Sequence, residues 1–123
     1  MATTKSQAEA ITKILVRPSV ARLTFSDTTE HIVITAPSAG QQIVFIAWAA
    51  VNTATTTLLR FFNASGGTSA SNLIYVASIP SSGAGTVQFS YGLPCGDGNP
   101  LYIKAATAGN SCEVVVYYTI ESI

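Results

Sequence analysis

Few residues of this 123-residue chain belong to the types that perform acid–base chemistry or bind metals. His31 is the single histidine, and beside Glu30 it could act as a general base or a metal ligand. Metal sites need three or four ligands, however, so we expect His31 to be an ordinary surface residue. The run Asp97-Gly98-Asn99 offers oxygen ligands but lacks the later acidic residue of a calcium loop, so it is expected to form a turn.

The carboxylates are also poorly spaced for catalysis. Glu113 and Glu121 are eight positions apart on one predicted strand, which corresponds to ~26 Å and is too far for a glycosidase pair. Asp27 and Glu30 are closer but flank a predicted turn. Neither a nucleophile-elbow motif nor a phosphate-binding glycine loop occurs. The sequence therefore predicts no catalytic residue, no metal site and no cofactor, and we expect that the protein is not an enzyme.

The two cysteines could form a disulfide or remain free. Cys95 lies in a loop rich in proline and glycine, and Cys112 opens a predicted strand, so the two could approach each other. The opening sequence MATTKSQAEA lacks the apolar core of a signal peptide, which predicts synthesis in the cytoplasm, where thiols stay reduced. Two free thiols are therefore favoured over a disulfide. No apolar run reaches the ~18 residues of a membrane span, so no membrane association is expected.

The composition favours association with other protein surfaces. Charged residues make up 10% of the chain, against ~25% in typical soluble domains, and 15 threonines and 13 serines carry most of the polarity. Such a surface loses little charge solvation when it is buried, so a homo-oligomer is expected, with a neutral monomer as the alternative. The net charge of zero argues against direct binding to nucleic acid.

From Val20 onwards the apolar residues recur with the period of two that is typical of strands. Turn residues separate the strands and favour a single all-β domain over residues 19–123, an antiparallel two-sheet sandwich that resembles a jelly roll. The predicted strands are Val20–Ser26, His31–Ala36, Gln41–Asn52, Thr56–Asn63, Leu73–Ile79, Thr86–Tyr91, Pro100–Ala106 and Cys112–Glu121.

Three of these strands predict which side chains lie inside. Gln41–Asn52 is apolar on both faces, which indicates an interior strand or a subunit contact, and the stretch 41–67 is expected to form a long-loop β-hairpin. Alternation assigns one set of side chains from each of two further predicted strands to the core. The strand Thr86–Tyr91 contributes Val87, Phe89 and Tyr91, and the strand Cys112–Glu121 contributes Cys112, Val114, Val116, Tyr118 and Ile120. Trp48, Val115 and Tyr117 are candidates for a subunit interface. Trp48 and the tyrosines could instead form a sugar-binding platform, although packing is the favoured interpretation.

Residues 1–18 are predicted to form a separate element, either a short amphipathic helix or an arm. Ser6 and Glu9 have the spacing of a capping box, and Pro18 would end the helix. A helix this short is ordered only when it lies on the body or on a partner. Its apolar stripe and adjacent cations are therefore predicted to be a docking element, formed by Ile11, Lys13, Ile14, Leu15 and Arg17.

Two stretches carry a resemblance to a known group of proteins. They are AVNTATTTLLRFFNASGG, from Ala50 to Gly67, and the segment from Gly96 to Ile120 with its GDGNPLYIKAATAGN opening. Both resemble the small β-sandwich structural proteins of tailed bacteriophage virions. The resemblance implies a capsid decoration (cement) protein on the virion surface, with the major capsid protein as its partner. A tail, neck or fibre-base protein is one alternative. A jelly-roll carbohydrate-binding module for host adsorption, marked by an exposed tyrosine or tryptophan, is another.

Overall fold

The computed structural model describes residues 18–65, 72–107 and 111–123. These three stretches contain eight strands and no helix, so they contain no helix that could span a membrane. The strands match the predicted ones to within three residues at either end, which confirms the all-β prediction. They are β1 (Ser19–Phe25), β2 (His31–Ile34), β3 (Gln41–Asn52), β4 (Thr57–Phe62), β5 (Leu73–Ile79), β6 (Ala84–Pro94), β7 (Leu101–Ala105) and β8 (Cys112–Ser122). The predicted arm, up to residue 17, lies outside the described residues.

The strands form two antiparallel sheets of four strands each. One has the order β1-β8-β3-β6 and the other β2-β7-β4-β5. Only β4 and β5 are consecutive strands that pair with each other; every other connection crosses from one sheet to the other.

The predicted hairpin over residues 41–67 is therefore wrong, because β3 and β4 belong to opposite sheets. The four residues between them cross from sheet to sheet, a distance of ~10 Å that four residues can span. Asn52 closes this link, since its Nδ2 donates hydrogen bonds to the carbonyls of Thr55 (2.6 Å) and Pro80 (3.2 Å). The same four residues would also suit the turn of a hairpin, so the local sequence could not distinguish a hairpin from a crossing between sheets.

The facing sides of the two sheets share one core. The rings of Phe45 on β3 and Phe61 on β4 meet across the sheets with centroids 4.9 Å apart, and Trp48 lies 6.2 Å from Phe61. Such tilted aromatic contacts add to the stabilisation from buried area. Strand β3 lies between β8 and β6 and is thus an inner strand of its sheet, which confirms the interior position predicted for it.

A β-bulge interrupts β3 at Ile46 and changes which side chains point inwards. On the β8 side, Phe45 pairs with Tyr118 and Ala47 with Tyr117, so Ile46 is an extra residue. Its neighbour β6 is displaced further, because Phe45 pairs with Leu93 and Ala47 with Gln88. Residues 89–92 of β6 therefore face a single residue of β3, and the regular alternation of β6 ends there.

Two residues predicted for the core are exposed as a result of this irregular end of the sheet. Tyr91 has 98% of its surface exposed, because the displaced register of β6 removes it from the inward series. Ile120 is 47% exposed near the end of β8. The remainder of the predicted core set of β8 lies inwards, with Cys112, Val114 and Val116 buried and Tyr118 packed against the core.

Candidate association surface

The residues that might have carried acid–base chemistry take part in turns. The His31 Nε2 lies 2.5 Å from Oδ1 of Asp27, and the hydroxyl of Thr29 donates to the same oxygen at 3.0 Å. These hydrogen bonds, that of His31 above all, lower the pKa of Asp27. The arrangement joins the end of β1 to the start of β2 at the protein surface.

The Asp97 turn also has a structural role. Its Oδ1 accepts a hydrogen bond from the backbone N–H of Gly40 (2.7 Å), and the N–H of Gly98 donates to the Gln41 carbonyl (2.8 Å). The turn is thereby attached to the link that precedes β3. Within residues 18–65, 72–107 and 111–123, no three His, Cys, Asp or Glu side chains are grouped as a metal site requires.

The two thiols are buried and free, as the sequence favoured. They lie at opposite ends of β3, because the N–H of Cys95 donates to the Ile43 carbonyl while Cys112 pairs with Asn52. Nine residues of strand separate these points by ~30 Å, far beyond the reach of a disulfide. Burial raises the pKa of Cys95 to about 12 and also raises that of Cys112. Both thiols are therefore protonated and unreactive at neutral pH.

The outer face of the β1-β8-β3-β6 sheet carries exposed apolar side chains. Residues directly opposite one another on adjacent strands form cross-strand rows on this face. One row contains Val20, Tyr117 and Ala47, and the next contains Arg22, Val115 and Ala49. We call this region the alanine face, and define it by Val20, Ala47, Ala49, Val51, Val115 and Tyr117.

The alanine face is open to solvent and shallow. Val20 and Val51 are 41% and 44% exposed, and Tyr117 is also exposed. The small side chain of Ala49 lies between Val115 on β8 and Thr86 on β6, and leaves a depression of about 440 Å³. Glu113 contributes the single carboxylate of its lining. A flat apolar face with few charges can be buried against a partner at small desolvation cost.

The outer face of the other sheet is less suited to burial. Arg60 on β4 lies directly opposite Lys104 on β7, so two positive charges are neighbours. Beside them, Phe62 and Tyr102 stack with ring centroids 5.6 Å apart. Covering this face would remove water from two like charges, which costs free energy unless a partner supplies carboxylates.

The predicted interface residues are not all on one surface. Trp48 points into the core, where it is 3% exposed and lies near Phe61 and Tyr75, so a neighbouring subunit could not reach it without rearrangement. Val115 and Tyr117 do lie together on the alanine face, and their contact with another subunit stays a prediction. The arm residues Ile11, Lys13, Ile14, Leu15 and Arg17 lie outside the described residues, so their docking role also stays a prediction.

No protein-family model matches the chain, and no curated protein matches it. The solved structures similar to this chain include two at low identity. One, from Bacillus endospore appendages described as a family of disulfide-linked pili, is 14% identical over 85% of this chain and 86% of that chain, with a TM-score of 0.47. The other, from the cyanophage Pam1 capsid asymmetric unit, is 18% identical over 95% of this chain and 96% of that chain, with a TM-score of 0.36. The similar structures thus include a phage capsid unit and a spore appendage.

Proposed function

We propose that this protein is a bacteriophage virion structural protein, and specifically a capsid decoration protein that binds and reinforces the lattice of the major capsid protein. The observation that carries the proposal is the exposed alanine face. The resemblance of Ala50–Gly67 and Gly96–Ile120 to phage virion proteins supports it. The strand connections, which all cross between sheets except β4–β5, are those of a jelly-roll sandwich. The role is structural, and no residue is assigned a catalytic part.

Association through the alanine face would form a homo-oligomer. Burial of apolar area contributes ~25 cal/mol per Å², and part of this offsets the ~4–15 kcal/mol that association costs in lost freedom of motion. The face carries few charges, so little of the gain is lost to desolvation. An oligomer on a regular lattice then binds at several sites at once, which raises the apparent affinity without new contacts.

The N-terminal arm is the proposed contact with the capsid. Its apolar residues Ile11, Ile14 and Leu15 would enter a groove of the capsid protein, and Lys13 and Arg17 would pair with carboxylates at its rim. The charge distribution supports this role, because residues 1–17 contain three cations (Lys5, Lys13 and Arg17) and one carboxylate (Glu9).

Sedimentation velocity on the full chain tests the homo-oligomer. Ala49→Arg places a long cation in the depression of the alanine face and should convert the oligomer to monomers. Ser78→Arg is the matched control, because it puts the same side chain at an exposed strand position in the other sheet. Circular dichroism of both variants should remain that of a folded β protein. A wild-type protein that stays monomeric at micromolar concentration would contradict the homo-oligomer.

Binding to purified capsids tests the decoration role. A variant that lacks residues 1–18 should keep its β-sheet spectrum and lose its binding to capsids in a sedimentation assay. Undiminished occupancy of the truncated protein on capsids would refute the arm as the docking element. Immunogold labelling of particles addresses the alternative sites, since label on the tail, neck or fibre base rather than over the whole shell would replace decoration with one of those roles.

A further inference from the structure

A second depression, of about 690 Å³, lies around the β3 bulge at the end of the sheet away from Ala49 and Val51. Its floor includes Val44 and Ile46 of β3, and its walls come from β6 and β8. The volume is within the range of ~300–1,000 Å³ found for small-ligand sites. Unlike the alanine face, this groove carries many polar side chains.

Tyr91 provides an aromatic platform at this groove. It is the most exposed large apolar or aromatic residue of the described chain, with 98% of its surface accessible. The chain on either side of it is packed against β3: Phe89 lies on Phe45 with ring centroids 5.1 Å apart, and Gly92, with a φ of 73°, lies against Val44. A ligand that covers this ring would bury aromatic surface that is otherwise in contact with water.

The polar side chains around the ring have unused hydrogen-bonding capacity. Gln88, Ser90, Glu121 and Ser122 line the groove, and their side chains make no hydrogen bond or ion pair within the part of the chain that the structure describes. Thr119 also lines it, and its hydroxyl is shielded from water and has no partner among the described residues. The first four side chains are therefore free to exchange hydrogen bonds with the hydroxyls of a ligand in the groove.

We propose that this groove binds neutral carbohydrate. A pyranose ring has an apolar C–H face that can lie on the Tyr91 ring, and hydroxyls at its edge that can bond to amide, hydroxyl and carboxylate groups. Glu121 would accept hydrogen bonds from sugar hydroxyls, and its charge would repel acidic sugars. A purely apolar partner fits less well, because it would remove water from Gln88 and Glu121 without replacing their hydrogen bonds.

Titration of the ¹⁵N-labelled full chain with soluble oligosaccharides tests the proposal. The neutral probes are maltotriose, cellotriose, N-acetylated chitotriose and mannotriose, and trigalacturonate is the acidic comparison. At least one neutral trisaccharide should cause saturable shifts of amides in residues 88–92 and 119–122, and trigalacturonate should not. Tyr91→Ala should weaken binding by at least about tenfold, the loss expected when an aromatic anchor is truncated, and Tyr91→Trp should retain it.

Tyr117→Ala is the matched control, because it removes another exposed tyrosine of the same sheet outside the groove and should leave the sugar affinity unchanged. Equal binding by Tyr91→Ala, or no amide shift with any neutral trisaccharide at 20-fold molar excess over millimolar protein, would overturn the proposal. Shifts at residues 88–92 that depend on protein concentration alone would also overturn it, and would assign the groove to a second copy of the chain. Sugar binding does not require the association proposed above, so each can fail independently.

Discussion

Replacement of Gly92 by alanine measures how strictly the structure fixes the bulge that exposes Tyr91. Gly92 has a φ of 73°, a region in which an L-residue is strained. An added Cβ would also overlap Cγ1 of Val44, a residue that is 9% exposed and has little space to move into. The variant therefore suffers two separate penalties, one from the backbone and one from packing.

The two penalties can be estimated separately. The left-handed backbone costs about 1–2 kcal/mol for alanine, and displacement of Val44 adds about 1–2 kcal/mol in rotamer strain and lost packing. Gly92→Ala should thus lower the free energy of unfolding by about 2–4 kcal/mol, a large part of the ~5–15 kcal/mol typical of a domain. Gly40→Ala is the control for the backbone penalty alone, because Gly40 has a φ of 82° and no atom within 4 Å of the added Cβ.

Urea denaturation followed by the fluorescence of Trp48, the single tryptophan and a buried one, gives these free energies. In a Val44→Ala background the overlap is absent, so Gly92→Ala should cost only its backbone penalty, and the double-mutant cycle should show a coupling of about 1–2 kcal/mol. A coupling near zero, or a cost no greater than that of Gly40→Ala, would refute the packing of Gly92 against Val44 and with it the register that we describe for β6.

Two further predictions concern titratable groups. In the native protein at pH 8, both thiols should react with Ellman's reagent far more slowly than in urea, because burial raises the pKa of Cys95 to about 12 and also raises that of Cys112. Denaturation in urea should make two thiols per chain reactive. A rapid reaction of the native protein would contradict the burial of the thiols. The folded pKa of Asp27 is lowered below 3.8, so this carboxylate stabilises the fold above that pH, and its contribution is lost as the pH falls through the folded pKa. The difference in Tm between wild type and Asp27→Asn should therefore shrink as the pH falls below about pH 3.8, and a difference that stays the same from pH 5 down to pH 2 would contradict the hydrogen bonds assigned to Asp27.

The strands could be predicted because alternation is a local property of the sequence. The pairing of β3 could not, since its partners β6 and β8 lie far along the chain, and a short polar link suits a crossing between sheets as well as a hairpin. The apolar pattern on both faces of β3 correctly indicated an interior strand. It did not indicate which of the two sets pointed inwards, and Trp48 was therefore assigned to an interface.

The exposure of Tyr91 was missed because alternation was extended to Tyr91, the last residue of the predicted strand Thr86–Tyr91. Gly92 follows Tyr91 directly and lies inside the observed strand β6, where a glycine is a signal for a bulge or for a close approach of backbone, and here both occur. That signal could have located the irregularity, although not its size, which depends on how β6 pairs with β3. The groove was missed for the same reason, since its walls come from strands that are neighbours only in the folded chain.

The bulge at Ile46 determines which side chains of β3 and β6 are exposed on the outer face of the β1-β8-β3-β6 sheet. Before it, Ile43 and Phe45 point inwards; uninterrupted alternation would then turn Ala47, Ala49 and Val51 towards the core and Trp48 towards solvent. The extra residue reverses this order, so that Trp48 fills the core and small side chains lie outside. The same extra residue displaces β6 and exposes Tyr91. One irregularity in the central strand thus produces both the shallow alanine face and, beside it, the polar groove with its aromatic ring.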